Sequence, residues 1–385
     1  MMVDDSLMSG NERRAIVIGG GIVGLTAAHA LRSVGWDVVV CERSPAIRGG
    51  GASIGLWPNA ISALEALELR ARVSAHGSVE GAPPLRDPSG RLLGTLQMND
   101  IAAKYGYEYV MIYRDVLNRV LAEGLEDSIR LGARFVRYEE GDNTITAHFA
   151  DGSHERGTVL VGADGVWSTV RAQLLPGGGA LTEDQVVWRA VVCAADFDLG
   201  EQAFVIGRNG TRGGWMHTGD GLVYWAVAQL SADMSGPADV KAETLALTDN
   251  LYDGGWDFPM REFVEATPAA EILRDPVSVV PWLDTWVSTR VALAGDAAHA
   301  MSPHTASGAS FGIEDAVVLA QHLATADVGD ALAKYDVERR ERLAWIREGA
   351  EAVREQVAGG GDYGEVMEAF ILGALEQGPP VRVRG

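Results

Sequence analysis

Four residues near the start of the chain have the types and spacing to grip a dinucleotide. Gly19, Gly21 and Gly24 follow G-x-G-x-x-G, and Glu42 stands eighteen residues after the last of them. Gly19 permits a tight turn, Gly21 lets backbone approach a pyrophosphate, and Gly24 lets a helix lie close to its strand. The unpaired N–H groups and positive dipole end at that helix start would face the phosphates. Glu42 can accept hydrogen bonds from both hydroxyls of an adenosine ribose. Far downstream, Asp296 closes an apolar run, at the strand end where open α/β sheets bind ligands. Candidates for proton transfer or charge stabilisation are His217, His304 and Arg189. If Trp215-Met216-His217 is a strand, Trp215 and His217 share a face, and His217 can deprotonate or orient a phenol or an indole N–H. Arg189, beside Trp188, can stabilise a phenolate.

The elements that must position these groups are legible in the hydrophobic pattern. Ala15 to Ile18 reads as a buried parallel strand, followed by a small-residue helix through Leu31 and a second strand, Trp36 to Cys41, ending in Glu42. Pro58-Asn59 opens a helix through Leu67, and another runs from Tyr113 to Leu121. Residues 134–161 read as strand and hairpin with a turn at Asp151-Gly152, and Thr158 to Val161 runs into the turn Gly162-Ala163-Asp164-Gly165. From Val186 to about Val280 alternating strands dominate, and six of the ten tryptophans lie there or just beyond: Trp188, Trp215, Trp225, Trp256, Trp282 and Trp286. That density fits a hydrophobic core at least as well as a pocket, which, for a bulky aromatic substrate, would be lined by Trp188, Trp215, Trp225, His217 and Pro303. A strand at Arg290 to Ala294, a helix from Gly308 to about Leu323 and a long helix over 331–357 follow, with a tail that packs as a short helix or stays mobile.

The pattern predicts an α/β fold in two interleaved parts. A Rossmann-like dinucleotide-binding domain, for NAD or FAD on this pattern alone, is expected from residues 15–76, 101–180 and 281–330. A smaller substrate domain on a mostly antiparallel sheet is expected from 77–100 and 181–280, with a C-terminal helix and tail over 331–385 and disorder over 1–14. A net charge of −21 argues against nucleic acid, whose phosphates would be repelled. Cys41 and Cys193 are too few for a disulfide framework, and the polar, acidic start lacks the basic and apolar regions of a signal peptide. These features predict a cytoplasmic protein without stable membrane association, a monomer or homodimer.

Three motifs in this order, Gly19-x-Gly21-x-x-Gly24, Gly162-Ala163-Asp164-Gly165 and Gly295-Asp296-Ala297-Ala298-His299, resemble those of the single-component FAD-dependent aromatic hydroxylases of the para-hydroxybenzoate hydroxylase type. The likeness runs from about Arg14 to about Val357. It implies that Glu42 holds the adenosine ribose, with Arg43 near the adenine and Arg48 and the Gly49–Ser53 loop bordering the flavin. It further implies that Arg114 contacts the phosphate or ribityl part, that Asp164 shapes the pyrophosphate region, and that Asp296 accepts from a ribityl hydroxyl. Beyond Pro303, Gly308 and Ala309 would offer backbone N–H groups to the flavin pyrimidine edge. Where the family often has Gly-Gln-Gly, this chain has Ala306-Ser307-Gly308, a change that backbone amides survive. The implied reaction uses NADPH or NADH as transient reductant, O2 as co-substrate and a flavin C4a-hydroperoxide to hydroxylate a phenol, indole or polycyclic compound. Alternatives are an epoxidase or reductase of the same superfamily, or a flavin-binding protein with a cyclising or binding role. Halogenase and prenyl-reductase signatures (Trp-x-Trp-x-Ile-Pro and Phe-Pro-Lys) are missing from the corresponding strands. Arg114 as a surface helix residue and Asp164 as a plain turn aspartate also stay open.

Overall fold

A computed structural model describes residues 13–48, 50, 52–96, 98–230, 234–236, 239–359 and 363–377. The expected disorder over 1–14 therefore falls outside the described residues, except that Arg14 opens the first strand. Gly49 and Gly51 of the expected flavin-side loop also lie outside them.

The chain builds β1 (Arg14–Ile18), α1 (Ile22–Ser33) and β2 (Asp37–Cys41), then returns through α2 (Arg114–Ala122) and β3 (Val159–Gly162). It leaves for β4 (Leu181–Cys193), β5 (Ala203–Ile206), β6 (Thr211–His217) and β7 (Leu222–Leu230). Helices α3 (Val240–Thr248) and α4 (Met260–Ala266) and strand β8 (Leu273–Val279) follow. Next come β9 (Val291–Leu293), α5 (Gly308–Thr325), α6 (Val328–Gly359) and α7 (Tyr363–Gln377).

Apolar runs buried on both faces make a parallel sheet in the order β9-β3-β1-β2, with a two-residue strand, Ile129–Arg130, at its edge. Ala15, Ile16 and Val17 are wholly buried at its centre. Helices α1 and α5 pack together beside it, burying Leu25, Leu31, Ile313 and Leu319. Burying each of those branched side chains contributes roughly 1.5–3 kcal/mol.

The second layer is a seven-stranded sheet in the order β8-β4-β7-β6-β5, extended by Leu85–Arg86 and Leu92–Gly94. Its long strands pair antiparallel, while β5 pairs parallel with Leu85–Arg86. Side chains alternate across the strands. Val186, Trp188, Ala190, Trp215, Trp225 and Val227 point to one face and pack with Phe263 and Val264 of α4. Trp188 Nε1 donates to Glu243 Oε2 at 2.7 Å, and Trp225 Nε1 donates to Thr267 Oγ1 at 3.1 Å. The opposite face looks across a cavity towards β9 and the start of α5.

The tail forms α7 and docks on α6. Trp345 and Phe370 stack with centroids 5.9 Å apart and planes 5° from parallel. Small residues make that approach possible: a Cβ on Gly349 would strike the Phe370 ring, and one on Gly373 would strike Trp345. Among the described residues no helix is long and apolar enough to cross a membrane.

Candidate active site

The glycine-rich turn connects β1 to α1, with Gly21 as the residue capping the helix. A Cβ on Gly24 would collide with the Gly19 carbonyl oxygen, and one on Gly19 with that of Ala163. A Cβ on Gly21 would meet nothing within 4 Å, so this residue borders open space at the helix N-terminus. Glu42 is fixed beside it by two backbone donors, Gly20 N–H at 2.7 Å to Oε2 and Ser44 N–H at 2.8 Å to Oε1. Each oxygen keeps a further lone pair for a ribose hydroxyl. Asp164 spends its carboxylate within its own turn, accepting from Ser168 Oγ at 2.5 Å and from the N–H groups of Thr169 and Val170. Those bonds tie down the start of the next helix. Arg43 and Arg48 are exposed, and the Arg48 carbonyl accepts from Asn118 Nδ2 at 3.0 Å.

A cavity of about 430 Å³ lies between the N-terminal end of α5 and the seven-stranded sheet. Arg114, Asp296, Gly308 and Ala309 contribute to one wall, and Pro303 lies on its rim. The substrate-sheet wall carries Gln185 and Arg189 of β4, Arg212 and Met216 of β6, and Tyr224 of β7. Arg114 is exposed where it lines the cavity; desolvation holds its guanidinium below the ordinary arginine range, with Asp296 the main opposing influence. Arg189 Nη2 donates to Asp275 Oδ2 at 2.6 Å. Burial alone would lower the Arg189 pKa, but Tyr224 and Asp275 more than offset it and the net shift is upward. Burial pushes the Tyr224 phenol up, against the pull of Arg189, so it stays protonated and able to donate. Gln185 is 1% exposed, and neither its Nε2 nor its Oε1 has a partner among the described residues. A buried amide left so costs stability unless a ligand pairs with it.

Behind Asp296 lies a buried ionic cluster. Gly295 takes φ +59°, where a side chain would strike Val23, and its N–H donates to Asp315 Oδ2 at 2.8 Å. His299 Nε2 lies 2.6 Å from the same oxygen, and Arg339 Nε donates to Oδ1 at 2.7 Å. A carboxylate can only accept, so Nε2 carries the His299 proton. Glu314 next to Asp315 takes Arg339, Arg342 and Asn59. This cluster clamps the Gly295-Asp296 turn and the α5 N-terminus to α6.

Several sequence expectations need correction. His217 and Trp215 do share a face of β6, but it is the face packed on the helices; the alternate residues Arg212, Gly214 and Met216 line the cavity. The His217 ring lies 5.5 Å from Trp215, and its Nε2 is 3.9 Å from Glu80. Trp188 and Trp225 are likewise core residues beneath the sheet rather than pocket lining. His304 borders a smaller adjoining chamber, whereas Arg189 and Pro303 do reach the main cavity. Sequence reasoning missed Arg212, Tyr224 and Gln185. Strand alternation offered the signal, since each sits one residue, or an odd number, away from a buried tryptophan or valine.

The open crevice at Gly21, the acceptor Glu42, Asp296 and the free N–H groups starting α5 suit the phosphates, ribose, ribityl chain and isoalloxazine of FAD. The fold and site thus define a flavin-dinucleotide-binding protein whose cofactor cleft adjoins a cavity under an antiparallel sheet. The chain belongs to the FAD binding domain family, whose profile matches residues 12–348. It is 32% identical over 332 residues to the aurachin C monooxygenase/isomerase of Stigmatella aurantiaca, covering 85% of each chain. It is 28% identical over 348 residues to the 6-hydroxynicotinate 3-monooxygenase of Pseudomonas fluorescens, covering 87% of this chain and 89% of that one. Klebsiella pneumoniae HpxO, solved with FAD and uric acid, superposes with a TM-score of 0.82 at 26% identity, over 97% of this chain and 98% of that one. The chain is an FAD-dependent monooxygenase of the aromatic hydroxylase type.

Proposed function

We propose that this monooxygenase takes electrons from NADPH or NADH and inserts one oxygen atom from O2 into an electron-rich aromatic ring bearing an ionisable hydroxyl. The observation that carries this reading is the charge of the cavity. Among the described residues that line it, the arginines Arg114, Arg189 and Arg212 outnumber the acids Asp275 and Asp296, in a chain of net charge −21. A phenolate or enolate is stabilised there, and deprotonation makes its ring carbons better nucleophiles towards an electrophilic oxygen.

The chemistry that FAD supplies when bound is acceptance of a hydride from NAD(P)H and transfer of one oxygen atom from O2. Glu42 would hold the adenosine ribose, Asp296 the ribityl chain, and the α5 N-terminus the pyrimidine edge, where its dipole favours negative charge. Tyr224 donates a hydrogen bond, Arg189 is aimed by Asp275, and Gln185 offers one donor and one acceptor edge. Together they orient the ring and displace water from the reacting carbon.

The test is anaerobic flavin reduction by NADPH and by NADH, with and without phenols, indoles and hydroxylated heteroaromatics. One class should accelerate bleaching and, on readmitting 18O2, yield a product heavier by one labelled oxygen. Reduction by neither nucleotide under any condition would overturn the reading.

A further inference from the structure

Beside the main cavity lies a second chamber of about 160 Å³ that shares Tyr109, Phe204, Arg212, Met216, Pro303 and Ala306 with it, whereas Arg114, Asp296, Gly308 and Ala309 line the main cavity alone. Its remaining lining is mostly apolar, with Trp57, Leu96 and Met98 beside Met367 and Ile371 from α7, and includes His304 and Thr305. That last contribution is fixed, because α7 is stacked on α6 through Trp345 and Phe370, and Phe370 also meets the edge of Trp57 at 5.9 Å. The chamber is thus a built compartment continuous with the substrate cavity. Arg212 stands at the neck, where charge on the head group meets it and apolar surface begins.

We propose that this chamber binds an apolar substituent of the substrate, an alkyl or prenyl chain of about six carbons, carried on the aromatic head that the main cavity holds. The size follows from volume: apolar cavities of about 150 Å³ accept a benzene-sized guest. The groups assigned to flavin, Arg114, Asp296, Gly308 and Ala309, do not line this chamber. The proposal rests on reading the main cavity as the oxygenation site, and it narrows the substrate from electron-rich aromatics to those with a lipophilic arm.

The experiment titrates the FAD-loaded protein with phenol and 4-ethyl-, 4-butyl- and 4-hexylphenol, following flavin absorbance and calorimetric heat. Affinity should rise about fourfold for each buried methylene through the series. In Leu96→Trp, and independently in Ile371→Phe, the rise should stop at the shorter members because the chamber is filled. A flat series in the unaltered protein, no binding of 4-hexylphenol, or an undiminished rise in both variants overturns the proposal. Binding is read without turnover. A rising series with no NAD(P)H-dependent oxygenation of any member would leave the chamber assignment standing and sink the catalytic reading instead.

Discussion

Replacing Asp315 by Asn tests whether the buried ionic cluster holds the flavin-binding turn. Asp315 is wholly buried and accepts from Gly295, His299 and Arg339, which is itself only 1% exposed. The amide keeps one acceptor oxygen but turns an NH2 group towards donors and leaves Arg339 to Glu314 alone. Breaking a buried pair in this way costs about 3–5 kcal/mol. With an unfolding entropy of about 2.1 cal/mol/K per residue, the FAD-free protein should melt roughly 4–6 °C lower. Gly295 also loses a charged acceptor, so FAD should bind roughly tenfold more weakly in a fluorescence titration. The acid limb supplies a further readout. Burial alone would raise the Asp315 pKa, but His299 and Arg339 more than offset it and the folded value lies below the ordinary one. The unfolded chain therefore takes up the proton first, near pH 4, and stability falls as pH drops from there through the folded value. Asp315→Asn should flatten that fall. A melting shift under about 1 °C together with unaltered FAD affinity would refute the idea that this cluster supports the turn.

Gly21→Ala should fold and melt as before when free of FAD, because a Cβ there meets nothing, yet it should purify with little flavin. A normal flavin-to-protein absorbance ratio would remove Gly21 from the pyrophosphate site. Asp296→Ala should likewise lose flavin on gel filtration, and full retention would end its assignment to the ribityl chain. His217→Ala should change the oxygenation rate by less than about twofold and cost about 0.5–1.5 kcal/mol through the lost Trp215 contact. A rate collapse with intact folding would restore His217 to the chemistry. Gln185→Met removes two unpaired buried polar atoms, so the ligand-free protein should gain about 1–3 kcal/mol while KM for the accelerating compound rises roughly tenfold. Lower stability combined with an unchanged KM would contradict the role given to Gln185.

The cofactor side was legible because its constraints are local in the chain. The turn at Gly19 to Gly24, the acid closing β2 and the acid after β9 each declare themselves within a few residues of a recognisable strand. The substrate side depends on which face of a strand meets the cavity, and period-two alternation gives only the pairing of faces. Trp215 and His217 were grouped correctly and pointed the wrong way. Burial economics decides the direction. The sheet must bury its larger apolar side chains against α3 and α4, so its tryptophans go there, with Trp188 and Trp225 each finding an indole partner near those helices. The cavity face then receives the smaller and polar alternates, Gly214, Ala226, Arg189, Arg212, Gln185 and Tyr224. The Asp315 cluster was invisible for another reason: its partners Gly295, His299 and Arg339 stand 20, 16 and 24 residues away, and Arg339 reaches it only when α5 packs against α6. A rule follows for chains of this architecture. Where a half-covered sheet is rich in tryptophan, the substrate residues are to be sought an odd number of positions along the strand from each tryptophan, because the side chains heavy enough to build the helix interface are committed to it before any ligand arrives.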